Sequence, residues 1–135
     1  MLEWTPALAV GIASIDNQHK ELFRKLAGLA QAMCGGDTEA EVGRLVPFLA
    51  RYVVDHFATE EGLMNRYAYP AAASHKLQHQ LFTRDLQAFG QQLDRGPFSA
   101  ALVLGLHRKA SEWLVNHIAK TDKLLGAFLK TKQAA

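Results

Sequence analysis

Along most of the chain apolar residues recur at steps of three and four, with no sustained alternation of period two, the signature of helices that each bury one face. Gly35-Gly36, Tyr69-Pro70 and Gly96-Pro97 break this pattern into an N-terminal arm and four segments. In the first segment Asp16 is a candidate N-cap, and Leu22, Leu26, Leu29 and Met33 form a stripe that stops at the glycine pair. The second opens on Thr38-Glu39-Ala40-Glu41, with the spacing of a capping box, and carries Val42, Leu45, Leu49, Val53 and Leu63. Pro47 lies inside it, where a proline removes a backbone donor and clashes with the preceding turn. The spacing therefore predicts either a kink there or a helix that starts later. The third stripe is Phe82, Leu86, Phe89 and Leu93. The fourth starts near Ser99, carries Leu102, Leu106, Ala110 and Trp113, and continues toward Phe128. The arm, with Trp4, Leu8, Val10, Ile12 and Ile15, has no helical period and is expected to cross the helices as an extended strap. Four amphipathic helices with short connections predict an all-α fold, an antiparallel up-and-down four-helix bundle with an extended N-terminal arm. One domain would span residues 1–135, the arm about 1–15 and the bundle about 16–131.

Composition narrows the partners. The 135 residues carry 15 Lys plus Arg against 13 Asp plus Glu, interspersed, so no basic stripe is available to follow a phosphate backbone and nucleic acid is excluded as an expected partner. No run approaches the roughly 18 apolar residues of a bilayer span. A lone cysteine, Cys34, leaves no internal disulfide and reads as an incidental small residue. The first residues lack the basic and apolar regions of a secretory signal, so a cytoplasmic location is expected.

Composition also leaves six histidines to explain. Extending each stripe by its own period reaches His19 in the first segment, His56 and then Glu60 in the second, His79 and His75 in the third, and His117 in the fourth. Five imidazoles and a carboxylate thus point at the bundle axis. Singly, each histidine would read as a core residue bonded to a carbonyl. Together they would cost several kcal/mol in desolvation, and a metal satisfies all of them at once. His75 and His79, at i and i+4, already have a chelating spacing, and His56 with Glu60 repeats it. His107 lies one residue off the fourth stripe and is expected at the surface or rim. The period does not reach Asp122. Five residues after His117 is about 140° around an ideal helix, so Thr121 continues the stripe unless a wide turn or π-bulge swings Asp122 inward.

The runs Val10-Gly11-Ile12 with Asp16-Asn17-Gln18-His19-Lys20, His56-Phe57-Ala58-Thr59-Glu60-Glu61, Tyr69-Pro70, His75-Lys76-Leu77-Gln78-His79 and Trp113-Leu114-Val115-Asn116-His117-Ile118 followed by Asp122 resemble the hemerythrins, in particular the single-domain bacterial branch. The likeness covers Trp4 to about Phe128, with the motifs in order and at family spacing. It implies that an aspartate five residues after the last histidine, here Asp122, bridges two irons together with Glu60. It further implies that His75, His79 and His117 hold one iron and His19 and His56 the other. The expected metal set is therefore His19, His56, Glu60, His75, His79, His117 and Asp122.

If these seven groups hold two six-coordinate metals, five imidazole nitrogens, four carboxylate oxygens and one bridging oxo or hydroxo group leave a single open position. By the resemblance it lies on the iron of His19 and His56. Imidazole with carboxylate in six-coordinate geometry suits iron or manganese better than zinc or copper. The Glu-x-x-His pairs of ferritin-like di-iron proteins do not occur in the sequence. Fewer anionic ligands should stabilise high-valent iron less, favouring reversible binding of dioxygen over its activation. Leu114, Ile118, Phe57 and Phe82 are the expected dry walls of the oxygen pocket, excluding water and protons. The expected function is reversible dioxygen binding at a non-haem di-iron centre, for storage, transport or delivery to an oxygen-consuming enzyme, by a monomer that is not itself an enzyme. A sensor of oxygen, redox state or nitric oxide acting through a separate partner is the alternative. No signalling segment follows the last motif, which weighs against the sensor.

Overall fold

The structure, a computed structural model, describes residues 3–36 and 39–132. Among these there is no strand. A short 3-10 turn at Pro6–Leu8 precedes α1 (Ala13–Cys34), α2 (Glu39–Arg66), α3 (Ala72–Arg95) and α4 (Ala100–His117). A π-helical turn, Ile118–Asp122, joins α4 to α5 (Lys123–Thr131). Helical dihedrals at both junctions make α4, the wide turn and α5 one rod. α1 packs on α2 and α4, and α3 on the same two neighbours. Cross-links at one level tie residue 18 to 56, 61 to 79 and 78 to 117. The start of α1, the end of α2, the start of α3 and the end of α4 therefore lie side by side, which is the up-and-down order.

Several expectations are corrected in detail. The arm ends at Ile12, three residues before the predicted boundary, because the α1 cap is built differently: Ile12 is the N-cap, and Asp16 sits in the first turn. The Asp16 carboxylate reaches back to accept the N–H groups of Val10 (2.8 Å) and Gly11 (3.1 Å), fixing the strap at its entry. Gly11, at φ +88°, makes the bend that this needs. In α2 the buried line is Val42, Val46, Leu49, Val53 and Met64. Leu45 is exposed and Leu63 only half-buried. α2 runs unbroken through Pro47, and the carbonyl that loses its partner belongs to Gly43, an exposed residue open to water. The proposed cap Thr38 lies outside the described residues. In α4 the buried line is Val103, Leu106, Ala110, Leu114 and His117, while Trp113 is displaced to the side to stack on Phe82. Ser99 caps α4, accepting the Leu102 N–H.

The strap is held from below by α5. A methyl group at Gly126 would stand 2.3 Å from the Val10 carbonyl oxygen and 2.8 Å from its Cβ, so no side chain fits there without displacing the arm. Gly126→Ala is therefore expected to destabilise the protein by about 1–3 kcal/mol. At roughly 3–5 °C per kcal/mol for a chain of this size, a melting curve would show it directly. Gly28→Ala, where a methyl meets nothing within 4 Å, is the control and should be neutral or slightly stabilising.

Candidate metal centre

All seven predicted ligand residues converge at the level just described, and each is 5% exposed or less. α1 contributes His19, α2 His56 and Glu60, α3 His75 and His79, and α4 His117. Asp122 arrives by the wide turn. The Lys123 N–H bonds to the Ile118 carbonyl five residues back, so each turn holds one residue more than in an α-helix, and Asp122 swings into the core at 1% exposure. Thr121, which ideal α-helical spacing would have turned inward, remains at the edge.

The two carboxylates divide their oxygens between two clusters. Oε2 of Glu60 lies 2.9 Å from His56 Nε2 and 3.4 Å from His19 Nε2, while Oε1 lies 3.1 Å from His79 and 3.3 Å from His75. Asp122 does the same, with Oδ2 3.1 Å from His19 and Oδ1 3.0 Å from both His75 and His117. Two sets of ligand atoms result, one from His75, His79 and His117 and one from His19 and His56, each sharing Glu60 and Asp122. Despite these approaches, all four carboxylate oxygens lack a hydrogen-bond partner of good geometry, as does His19 Nε2. Three of the inward nitrogens crowd one another instead, the Nε2 atoms of His75 and His79 lying 3.1 and 3.2 Å from His117 Nε2, and the carboxylate oxygens between the imidazoles are left unpaired. In a core this dry, such orphaned atoms call for a ligand.

Outer hydrogen bonds set the imidazoles. His56 Nδ1 donates to Gln18 Oε1 (2.7 Å), His117 Nδ1 to Gln78 Oε1 (2.8 Å) and His79 Nδ1 to Glu61 Oε2 (2.8 Å). The amide of Gln18 is oriented in turn, because Thr59 gives its hydroxyl proton to the Asp55 carbonyl and accepts from Gln18 Nε2. Each of these imidazoles thus carries its proton outside and turns the Nε2 lone pair inward, the arrangement of a metal-ligating histidine. The Nε2 atoms of His79 and His117 face each other at 3.2 Å with no proton to share. A cation between them removes that repulsion.

The cluster's own charges show the same demand. Burial would raise the Glu60 carboxyl, but His56, His19 and His75 hold it well below the usual range. Burial and the Glu60 charge push Asp122 upward, yet the close imidazoles of His117, His19 and His75 bring it to about 2. Burial works against charged His19 and His75, and the two carboxylates override it and raise each to about 9. Burial prevails at His117, which is lowered. Two ionised carboxylates therefore persist in the core, where protons on His19 and His75 supply the positive charge a metal would bring. The donor set fits a pair of metal ions.

Of the four expected pocket residues, all are buried. Phe57 stacks flat on His79, with centroids 3.8 Å apart, and its centroid is 6.1 Å from that of His56. Phe82 lies edge-on to Phe57 at 6.3 Å and stacks on Trp113, whose other face covers His117 at 4.3 Å. His107, half-buried at the rim, donates Nε2–H to the Leu26 carbonyl and is outside both clusters. Cys34 is exposed. Sequence reasoning missed Gln18, Gln78 and Glu61. The available signal was that all three lie inside the motifs of the resemblance, Gln18 and Gln78 in a repeated Gln-His dipeptide near the start of two helices.

Seven convergent potential ligands in the middle of an up-and-down bundle define a class, that of helical bundles with a centre able to hold cations. The chain belongs to the hemerythrin family within it: the model of the hemerythrin HHE cation binding domain matches residues 10–129. A bacteriohemerythrin of Pseudomonas aeruginosa is 34% identical over 121 residues, covering 90% of this chain and 76% of that one. A bacteriohemerythrin of Methylococcus capsulatus is 32% identical over 130 residues, covering 96% and 97%. A wild-type hemerythrin crystal structure superimposes with a TM-score of 0.82 at 29% identity, covering 94% of this chain and 96% of that one. Among the described residues no helix is long and apolar enough to cross a membrane.

Proposed function

We propose that this chain binds dioxygen reversibly at a di-iron centre and serves its storage, transport or delivery, with an oxygen-consuming enzyme as recipient. The observation that carries the reading is the division of both carboxylates, Oε1 and Oδ1 toward three imidazoles and Oε2 and Oδ2 toward two. In this reading His75, His79 and His117 hold one iron, His19 and His56 the other, and Glu60 and Asp122 bridge. When bound, the irons supply the electrons that a dioxygen ligand draws on. The chain's own contribution is to present Nε2 lone pairs at fixed positions and to keep the surroundings dry. Leu114 and Ile118, at 1% and 0% exposure, form apolar walls beside His117, and Phe57 and Phe82 close the side toward α3. The unequal number of imidazoles leaves the open position on the His19–His56 side.

Repeated cycles of air and argon test this. Two irons per chain, with a visible charge-transfer band that appears and disappears over many cycles, are the expected result. One metal, zinc in place of iron, or bleaching after a single cycle would overturn it.

A further inference from the structure

The three outer hydrogen bonds are unequal. Gln18 and Gln78 offer neutral amide oxygens to His56 and His117, whereas His79 donates to a carboxylate, Glu61 Oε2 at 2.8 Å. Glu61 follows Glu60 directly. Successive residues on a helix point about 100° apart, so one glutamate enters the core while the other lies in the seam between α2 and α3. At 32% exposure, with His79 as its sole ion-pair partner among the described residues, Glu61 keeps its negative charge close to one metal position only. The His79 ring cannot rotate away from it, because Phe57 is stacked flat against its face. A carboxylate accepting the Nδ1 proton makes the opposite nitrogen a stronger donor, and it stabilises added positive charge on whatever that nitrogen binds.

We propose that Glu61 is a positioning residue that, acting through His79, makes the metal held by His75, His79 and His117 the more readily oxidised of the two. The inference rests on the di-iron reading above. Loss of one electron from that iron to an external acceptor adds one positive charge, and Glu61 is the one outer partner whose charge offsets it. The amides on His56 and His117 polarise their imidazoles without contributing charge.

The test uses the full chain loaded with iron under argon and titrated through redox mediators. Glu61→Gln keeps the size and the acceptor oxygen and removes the charge. The ratio of oxidised to reduced iron in the first one-electron step should then fall about tenfold at a given potential, an upward shift of about 59 mV. Adding Gln78→Glu returns a charge to the same metal through His117 and should restore the ratio, which the loss of a merely structural contact would not. An unchanged midpoint in Glu61→Gln with two irons bound, or no recovery in the double variant, overturns the proposal. A second readout needs no metal: nitrogen chemical shifts of His79 should show the proton on Nδ1 in the parent and a tautomer mixture in Glu61→Ala. A proton on Nε2 in the parent overturns the proposal even if Glu61→Gln fails to hold iron. Failure of the oxygen-binding reading is distinguishable, since it would appear as a parent protein that titrates normally under argon but shows no reversible response to air.

Discussion

Glu60→Gln is expected to empty both metal positions, with iron content falling from two per chain to well below one. Glutamine fills the same volume, so the helices need not move, but an amide has one acceptor oxygen and an NH2 group that only donates. Glu60 now presents Oε2 to the His19–His56 cluster and Oε1 to the His75–His79 cluster. In the variant one cluster would meet N–H groups where its cation belongs, and the site would also lose one of its two negative charges. His56→Ala should behave differently. It removes a ligand from the smaller cluster and leaves His75, His79, His117, Glu60 and Asp122 in place, so one iron should remain and reversible oxygen binding should disappear. His107→Ala, which removes only a hydrogen bond to the Leu26 carbonyl, should retain two irons. Elemental analysis of the three purified variants separates these outcomes. Two irons in Glu60→Gln would show that the carboxylate does not bridge.

The contrast between those variants follows how the centre was legible. Five histidines and Glu60 lie on apolar stripes, where period alone places them at the axis, and the structure brings all six together. Asp122 was beyond the reach of period because its position depends on the Lys123–Ile118 bond of a wide turn, and ideal α-helical spacing favoured Thr121 instead. Gln18, Gln78 and Glu61 were illegible for another reason. Each serves an imidazole on a neighbouring helix, 38, 39 and 18 residues away in sequence, so their roles exist only once the helices are packed. The same limit explains the smaller differences in the fold. Whether Leu45 or Val46 faces the core, or Trp113 or Leu114, is a matter of one step of helical rotation, and it is decided by neighbouring helices and by the stacking of Trp113 between Phe82 and His117. Asp16 was recognised as belonging to the start of a helix, but its partners, the N–H groups of Val10 and Gly11, depend on the bend at Gly11.

Removing the metal should lower stability more than any single substitution does, by an amount that grows with pH, and the metal-free protein should depend on pH in a direction opposite to the usual acid sensitivity. Each site held at a thousandfold excess over its dissociation constant adds about 4 kcal/mol to folding, so two sites imply a fall in melting temperature of more than roughly 15 °C on chelation. The metal-free bundle should still fold, because the apolar stripes on either side of the centre remain closed. Its pH profile follows from the groups that replace the cations. His19 and His75 are raised to about 9, so their stabilising contribution is complete below the ordinary imidazole value of 6.5 and is lost as pH rises through 9. Burial lowers His117, so its contribution runs the other way and fades as pH falls below 6.5. Asp122, brought down to about 2, contributes above 3.8 and ceases to do so only in strong acid. The metal-free protein should therefore be most stable near pH 6.5 and weaken toward pH 9. Metal binding has the reverse trend over the same interval, since the protons on His19 and His75 must leave before a cation can enter. The gap between the melting curves of the loaded and metal-free proteins should accordingly widen from pH 6.5 to pH 9. Parallel curves across that range would mean that the two histidines do not exchange protons for metal.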